Sequence, residues 1–208
     1  MESTFRQDSR DPGTTPAAVH PWVAELAAST DLSGARVLVP LRGGSADLLY
    51  LAEHAAEVIG VASTPRAVAE VFDSAGLTPA VTDGVHRAGN VTVWCRDLLD
   101  LGAADLGPVD LVHDRAALTA LTDAPRDRYA AHLTSLCAPG TRYFLTTLEY
   151  RPTAPEPPFS VGADQVHGHF AEAFSIDHAH AEPRPEHRLM TEFGLDYLVE
   201  HGFLMTRR

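Results

Sequence analysis

The stretch Arg36-Val-Leu-Val-Pro-Leu-Arg-Gly-Gly-Ser45, followed by Ala46-Asp-Leu-Leu-Tyr-Leu-Ala-Glu-His54 and Glu57-Val-Ile-Gly-Val-Ala-Ser-Thr-Pro65, decides the fold. An apolar run, a glycine turn, an amphipathic helix and a second apolar run make one βαβ unit. Such a unit takes a nucleoside-like ligand at the carboxyl ends of its strands. Two glycines after Leu41 let the backbone approach that ligand closely, although a tight turn alone would explain them. Units of this sort usually end the second strand with Asp or Glu, which grips the ribose hydroxyls; here the residue is Ala62.

Working outward, Val19, Trp22, Val23 and Leu26 have helical spacing, and Leu32-Ser-Gly34 turns into the first strand, Arg36 to Leu41. Ser45 is placed to cap the helix that follows. Glu57 to Val61 is the second strand, and Pro65 opens a helix ending near Gly76. Further strands are expected at Val91–Cys95, Val109–His113, Arg142–Leu148, Ile176–Ala181 and Tyr197–Met205. Helices are expected over Pro125–Leu136 and Asp164–Phe170. Seven strands alternating with helices imply an α/β, doubly wound, mainly parallel sheet flanked by helices. Residues 1 to 16, polar and containing Pro12, Gly13 and Pro16, read as a flexible segment or lid before a single domain over 17–208.

Composition narrows the function. A chain of 208 residues suits one domain with a sizeable core. Its net charge of −12, with no cluster of Lys or Arg, argues against a nucleic-acid backbone as partner. No apolar run is long enough to span a bilayer, and the polar N-terminus lacks the apolar core of a signal peptide. Cys95 and Cys137 make no disulfide framework, so a cytoplasmic location is expected, with both thiols as buried filler.

In a doubly wound sheet the working residues gather beyond the carboxyl ends of the strands. Those ends carry Ser63 and Thr64, then Asp97, Asp114 with Arg115, and Glu149 with Arg151. Thr64 serves equally as the cap of the Pro65 helix. The expectation is one cleft in which Asp97, Asp114 and Glu149 meet Arg115 and Arg151. The carboxylates there act as base, ligand holder or structural ion pair, and the arginines clamp an anionic small molecule. His167 and His169, two apart on a helix, point in nearly opposite directions; His178 and His180 share a strand face but lack an evident third ligand. No metal site is expected.

The segments Leu38-Val-Pro-Leu-Arg-Gly-Gly-Ser-Ala-Asp47, Val58-Ile-Gly-Val61, Asp110-Leu-Val-His-Asp-Arg-Ala-Ala-Leu118, Leu148-Glu-Tyr150 and Pro157-Pro-Phe-Ser-Val161 carry a resemblance. From about Gly13 to the C-terminus the chain resembles the thiopurine S-methyltransferase family, whose enzymes have the class I methyltransferase (Rossmann-like) fold and use S-adenosylmethionine. The resemblance implies that Leu41 and Gly43 approach the methionine part of the cofactor. By the same resemblance Ala62 occupies the ribose position, and Asp97 and Leu98 edge the adenine. Arg115 would then lie near the substrate, and Phe159 would wall the pocket beneath the proline-rich loop Arg151–Pro158. Three departures fall on the cofactor. The family's Cys-Gly-Lys-Ser turn is here Arg42-Gly43-Gly44-Ser45, its Gly-Val-Glu is Gly60-Val61-Ala62, and its N-terminal aromatics are missing from Asp11–His20.

Three functions follow as expectations. The first is S- or Se-methylation of a small metabolite in secondary metabolism or detoxification, with Asp114 or Glu149 accepting a proton and Arg115 nearby. The second is the same fold repurposed for cofactor-independent displacement of an anionic leaving group, as in a cyclisation step of natural-product biosynthesis, with Arg115 steadying the departing charge. The third is a non-catalytic partner subunit.

Overall fold

The computed structural model describes residues 18–40 and 46–208. The chain divides into two compact units: the first runs to Leu111 and the second from Val112 to Arg208. The expected lid over 1–16, the cap Ser45, and Leu41 and Gly43 lie outside the described residues.

The first unit opens with α1 (Pro21–Ser29), β1 (Arg36–Pro40), α2 (Ala46–Ala52), β2 (Glu57–Ala62) and α3 (Pro65–Ser74). It continues with β3 (Ala80–Thr82), β4 (Val85–Ala88), β5 (Val91–Cys95) and α4 (Ala103–Leu106). Its strands lie in the order β3-β4-β5-β2-β1. β1, β2 and β5 run parallel, and β3 and β4 close the edge antiparallel. The parallel strands are buried almost throughout, which is why each reads as a continuous apolar run rather than an alternation. α1 buries Trp22, Val23 and Leu26, and the backbone N–H of His20 donates to buried Asp47 at 2.8 Å, tying the start of α1 to α2.

Thr64 resolves as a cap: its hydroxyl accepts from the N–H of Ala67, with Pro65 in the first turn of α3. The hairpin of β3 and β4 was not expected from the sequence, yet its turn is Asp83-Gly84, both at positive φ, the chemistry of a two-residue hairpin. At the amino edge Arg36 is held on every side. Its guanidinium donates to Glu57 at 2.8 Å and to the carbonyls of Pro108 and Leu106, while its own N–H donates to Asp110.

The second unit takes up β6 (Leu111–Asp114), α5 (Asp123–Leu136), β7 (Arg142–Arg151), α6 (Ala163–Phe170), β8 (Phe174–Pro183), α7 (Arg188–Glu192) and β9 (Tyr197–Arg207). The order β6-β7-β9-β8 ends in two long antiparallel pairings. Tyr129, Leu133 and Leu136 are buried on α5 as their spacing requires. Phe170, Phe174 and Tyr143 meet edge to face in the core, their rings 5.4 to 6.1 Å apart. α7 is a helix the sequence reading left out. β7 runs three residues further than expected, so Glu149, Tyr150 and Arg151 belong to the strand itself.

Candidate active site

In the first unit the carboxyl edge of the parallel strands carries the residues expected to meet a nucleoside. Ala62 pairs in register with Cys95, and Asp97 follows two residues later, so Ala62, Asp97 and Leu98 come from one edge. Asp97 is the cap of a short 3-10 turn, its carboxylate accepting the N–H of Leu99 at 3.0 Å, and Leu98 is buried behind it. Ala62 is 1% exposed and offers no side-chain hydrogen-bond acceptor.

In the second unit a cavity of ≈ 690 Å³ is lined by Arg126, Glu149, Arg151, Phe159 and Tyr197 among others. β7 and β9 build its polar wall. Glu149 pairs in register with Val199, so Tyr197 and His201, two residues to either side on the same face of β9, flank the carboxylate diagonally. One Glu149 oxygen accepts from the Tyr197 hydroxyl at 3.0 Å; the other lies 3.1 Å from His201 Nε2. Arg151 donates to the Tyr197 oxygen at 3.1 Å, and its guanidinium lies over the Tyr197 ring at 4.8 Å. Gly162 leaves room for this arrangement, because a Cβ there would come within 2.7 Å of the Glu149 carboxylate.

The proline-rich loop is pinned at its far end. Phe159 N–H donates to the Thr119 carbonyl at 2.6 Å, Val161 N–H to the Leu148 carbonyl at 2.7 Å, and the Tyr150 hydroxyl to the Pro158 carbonyl. Beneath it, buried Arg126 donates to the carbonyls of Leu118 and Leu121 and to Asp123. Desolvation lowers the Arg126 pKa, and Asp123 and Asp127 pull it back up.

The five charged residues expected in one cleft have different surroundings. Glu149, Arg151 and Phe159 share the cavity. Asp114 turns inward and is fully buried. One of its oxygens accepts the N–H groups of Ala116, Ala117 and Leu118, and the other accepts the hydroxyls of Tyr129 at 2.7 Å and Tyr143 at 3.0 Å. Its surroundings are those of an internal anchor, and the apolar environment of β6 and α5 is the reason. Arg115 is half-buried just beyond β6 and is not part of the cavity wall. Asp97 belongs to the first unit.

The sequence reading missed Tyr197 and His201, although the pattern Tyr197-Leu-Val-Glu-His201 placed both on one strand face. His178, exposed on β8, stacks on Phe203, ring centroids 4.4 Å apart, and its Nε2 lies 3.0 Å from His201 Nδ1. A register shift between Asp177 and His180 brings it there. Among the described residues no three His, Cys, Asp or Glu side chains could hold a metal ion.

A parallel βαβ unit, with strand order β5-β2-β1, followed by an antiparallel β7-β9-β8 end, is the class I methyltransferase fold. A solved N1-methyltransferase from Burkholderia thailandensis, crystallised with 1,6-didemethyltoxoflavin and S-adenosylhomocysteine, shares it. That structure is 20% identical with a TM-score of 0.64, covering 98% of this chain and 84% of that one. Residues 15–208 match the thiopurine S-methyltransferase family. A thiopurine S-methyltransferase of Pseudomonas fluorescens is 41% identical over 74% of this chain and 72% of its own. One from Azotobacter vinelandii is 35% identical over 92% and 91%. The chain belongs to the thiopurine S-methyltransferase family.

Proposed function

We propose that this protein methylates sulfur, or selenium, on a small molecule with S-adenosylmethionine, in secondary metabolism or detoxification. The observation that carries the reading is the family match over 15–208, which favours methyl transfer over cofactor-independent displacement or a non-catalytic partner role. In this reading the cofactor lies along the first unit's carboxyl edge. Leu41 and Gly43 flank its methionine part, Ala62 faces the ribose, and Asp97 and Leu98 face the adenine. When bound, S-adenosylmethionine supplies an electrophilic methyl group. A missing carboxylate at Ala62 removes a charge-assisted hydrogen bond of roughly 1.5–3 kcal/mol, so ribose recognition is weaker here than an acid would make it.

The cavity holds the acceptor. Arg151 and Phe159 bind it, Arg115 approaches from beyond β6, and Glu149 takes the proton of the thiol or selenol as its sulfur or selenium forms the new bond to carbon. The sulfur–hydrogen bond breaks, its electron pair stays on sulfur, and the proton goes to Glu149; the methyl–sulfonium bond would break in turn, its electron pair leaving with S-adenosylhomocysteine. Asp114 has both oxygens engaged with buried donors, so Glu149 and not Asp114 carries this role. A small-molecule acceptor, a cytoplasmic setting with free Cys95 and Cys137, and no nucleic-acid or membrane partner complete the reading.

Calorimetric titration with S-adenosylmethionine and S-adenosylhomocysteine, followed by methyl-transfer assays on aromatic and aliphatic thiols and selenols, tests it. Binding at micromolar ligand with transfer to sulfur or selenium is expected. No heat at millimolar concentration of either ligand would remove the cofactor from the reading.

A further inference from the structure

Behind Glu149 a chain of side chains leads from the cavity to the protein surface. The Glu149 side chain is 37% exposed, that of His201 is 8% exposed, and His178 is exposed. The two links are 3.1 Å, Glu149 to His201 Nε2, and 3.0 Å, His201 Nδ1 to His178 Nε2. Both are hydrogen-bond distances, and together they dictate the tautomers. An ionised Glu149 only accepts, so His201 Nε2 carries the hydrogen. His201 Nδ1 must then accept, so His178 Nε2 donates, and the His178 ring also meets the backbone of His180.

The chain is held rigidly. His178 lies nearly parallel to Phe203, at 18°, and His201 is tilted against both rings. His201 cannot turn without breaking both links. On the cavity side the second Glu149 oxygen is fixed by Tyr197, which is itself fixed by Arg151.

We propose that His201, oriented by His178, is a positioning residue for Glu149: it aims the carboxylate into the cavity and sets its charge by taking up or losing a proton shared with His178. This inference rests on the reading of Glu149 as the base for methyl transfer. With the histidine pair neutral, Glu149 is an uncompensated carboxylate able to accept a proton. With the pair protonated, an imidazolium faces the carboxylate and opposes proton uptake by Coulomb attraction. The charged and titratable groups facing the pair are His167, from α6, and Asp177, on β8, with Glu149, Arg151 and Tyr197 at its inner end. Burial, then His201 and His167, hold the His178 imidazole below its ordinary range, so His178 takes up a proton only on acidification.

Two measurements test it on the full chain. The first needs no reaction: imidazole resonances are followed by NMR against pH in the wild type and in E149Q. The expected result is that E149Q moves the titrations of His178 and His201 to lower pH; unmoved titrations overturn the coupling. The second is the pH–rate profile of methyl transfer to the best thiol acceptor. H201A is expected to lower kcat roughly ten- to a hundredfold with KM for S-adenosylmethionine unchanged. H201Q, whose amide still donates to Glu149 but does not titrate, is expected to restore most of that loss and to move the acidic limb, which Glu149 alone then sets. A wild-type profile and kcat in H201A overturn the positioning role, as does an acidic limb in H201Q identical to that of the wild type. Coupled titrations in a protein that transfers no methyl group would instead overturn the proposed reaction and support the coupling.

Discussion

Asp114 and Glu149 both stand near the carboxyl ends of strands, and neighbours alone separate their duties. Asp114 accepts three backbone N–H groups and two tyrosine hydroxyls with no exposure, whereas Glu149 faces a cavity with two side-chain partners. Replacing Asp114 by Asn puts an amide donor against the two phenols, which then lose their acceptor while buried. D114N is expected to destabilise the fold by about 2–4 kcal/mol, read from urea denaturation, since each orphaned buried donor costs about 1–3 kcal/mol. Gly162 offers the complementary test at the site. Its φ of −87° suits any residue, so G162A meets no backbone strain; the three atoms nearest the added methyl all belong to Glu149, with a carboxylate oxygen at 2.7 Å. The expected outcome is a carboxylate pushed off its His201 contact. Methyl transfer would fall about tenfold or more, with an unchanged melting temperature to within a few degrees and unchanged cofactor affinity. A wild-type rate in G162A would show that the placement of Glu149 does not matter.

At the level of elements, the amino edge of the first unit keeps its parallel strands in place through one arginine. Arg36 opens β1, Glu57 opens β2, and the guanidinium joins them while also reaching the carbonyls of Leu106 and Pro108 after α4. Gly107 makes that reach possible. Its φ is +71°, and a Cβ there would lie 2.6 Å from an Arg36 nitrogen. G107A combines strain of about 1–3 kcal/mol, in a backbone region essentially reserved for glycine, with displacement of a partly exposed hydrogen-bonding network. A loss of about 2 kcal/mol or more is expected in chemical denaturation. This edge lies opposite the ligand end of the strands, so the affinity for S-adenosylhomocysteine should be unaffected in the protein that remains folded. The edge strands β3 and β4 and the helix α7 show where elements escaped the sequence reading. β3 is three residues long, too short for alternation to register, and only Asp83-Gly84 marked the hairpin. α7 spans five residues, less than the length over which helical periodicity can be recognised.

For the whole molecule, pH acts through groups far from the surface. Burial, and next the charge of Asp114, raise the pKa values of Tyr129 and Tyr143 well above that of free tyrosine. Unfolded tyrosine ionises near pH 10. Above that pH the unfolded chain binds fewer protons than the folded one, so stability falls as pH rises through and beyond about 10. The expected observation is that part of the tyrosinate absorbance appears only with global unfolding during alkaline titration. Cys137, buried and pushed up to about 12, stays a thiol throughout that range, in keeping with its reading as core filler. The sequence by itself determined the βαβ unit, the parallel strands and the family, and it placed Ala62, Asp97 and Glu149 at or near strand ends. These follow from local runs of apolar residues and from motifs whose spacing along the chain is their signal. Only the tertiary structure decided that Asp114 is an anchor while Glu149 faces a cavity, and that His201 and His178 stand behind it. Those outcomes depend on the register of β7 against β9 and on the irregularity between Asp177 and His180, which bring together side chains 23 and 52 residues apart. No pattern within a single segment encodes such a meeting, because burial and hydrogen bonding are properties of the assembled neighbours.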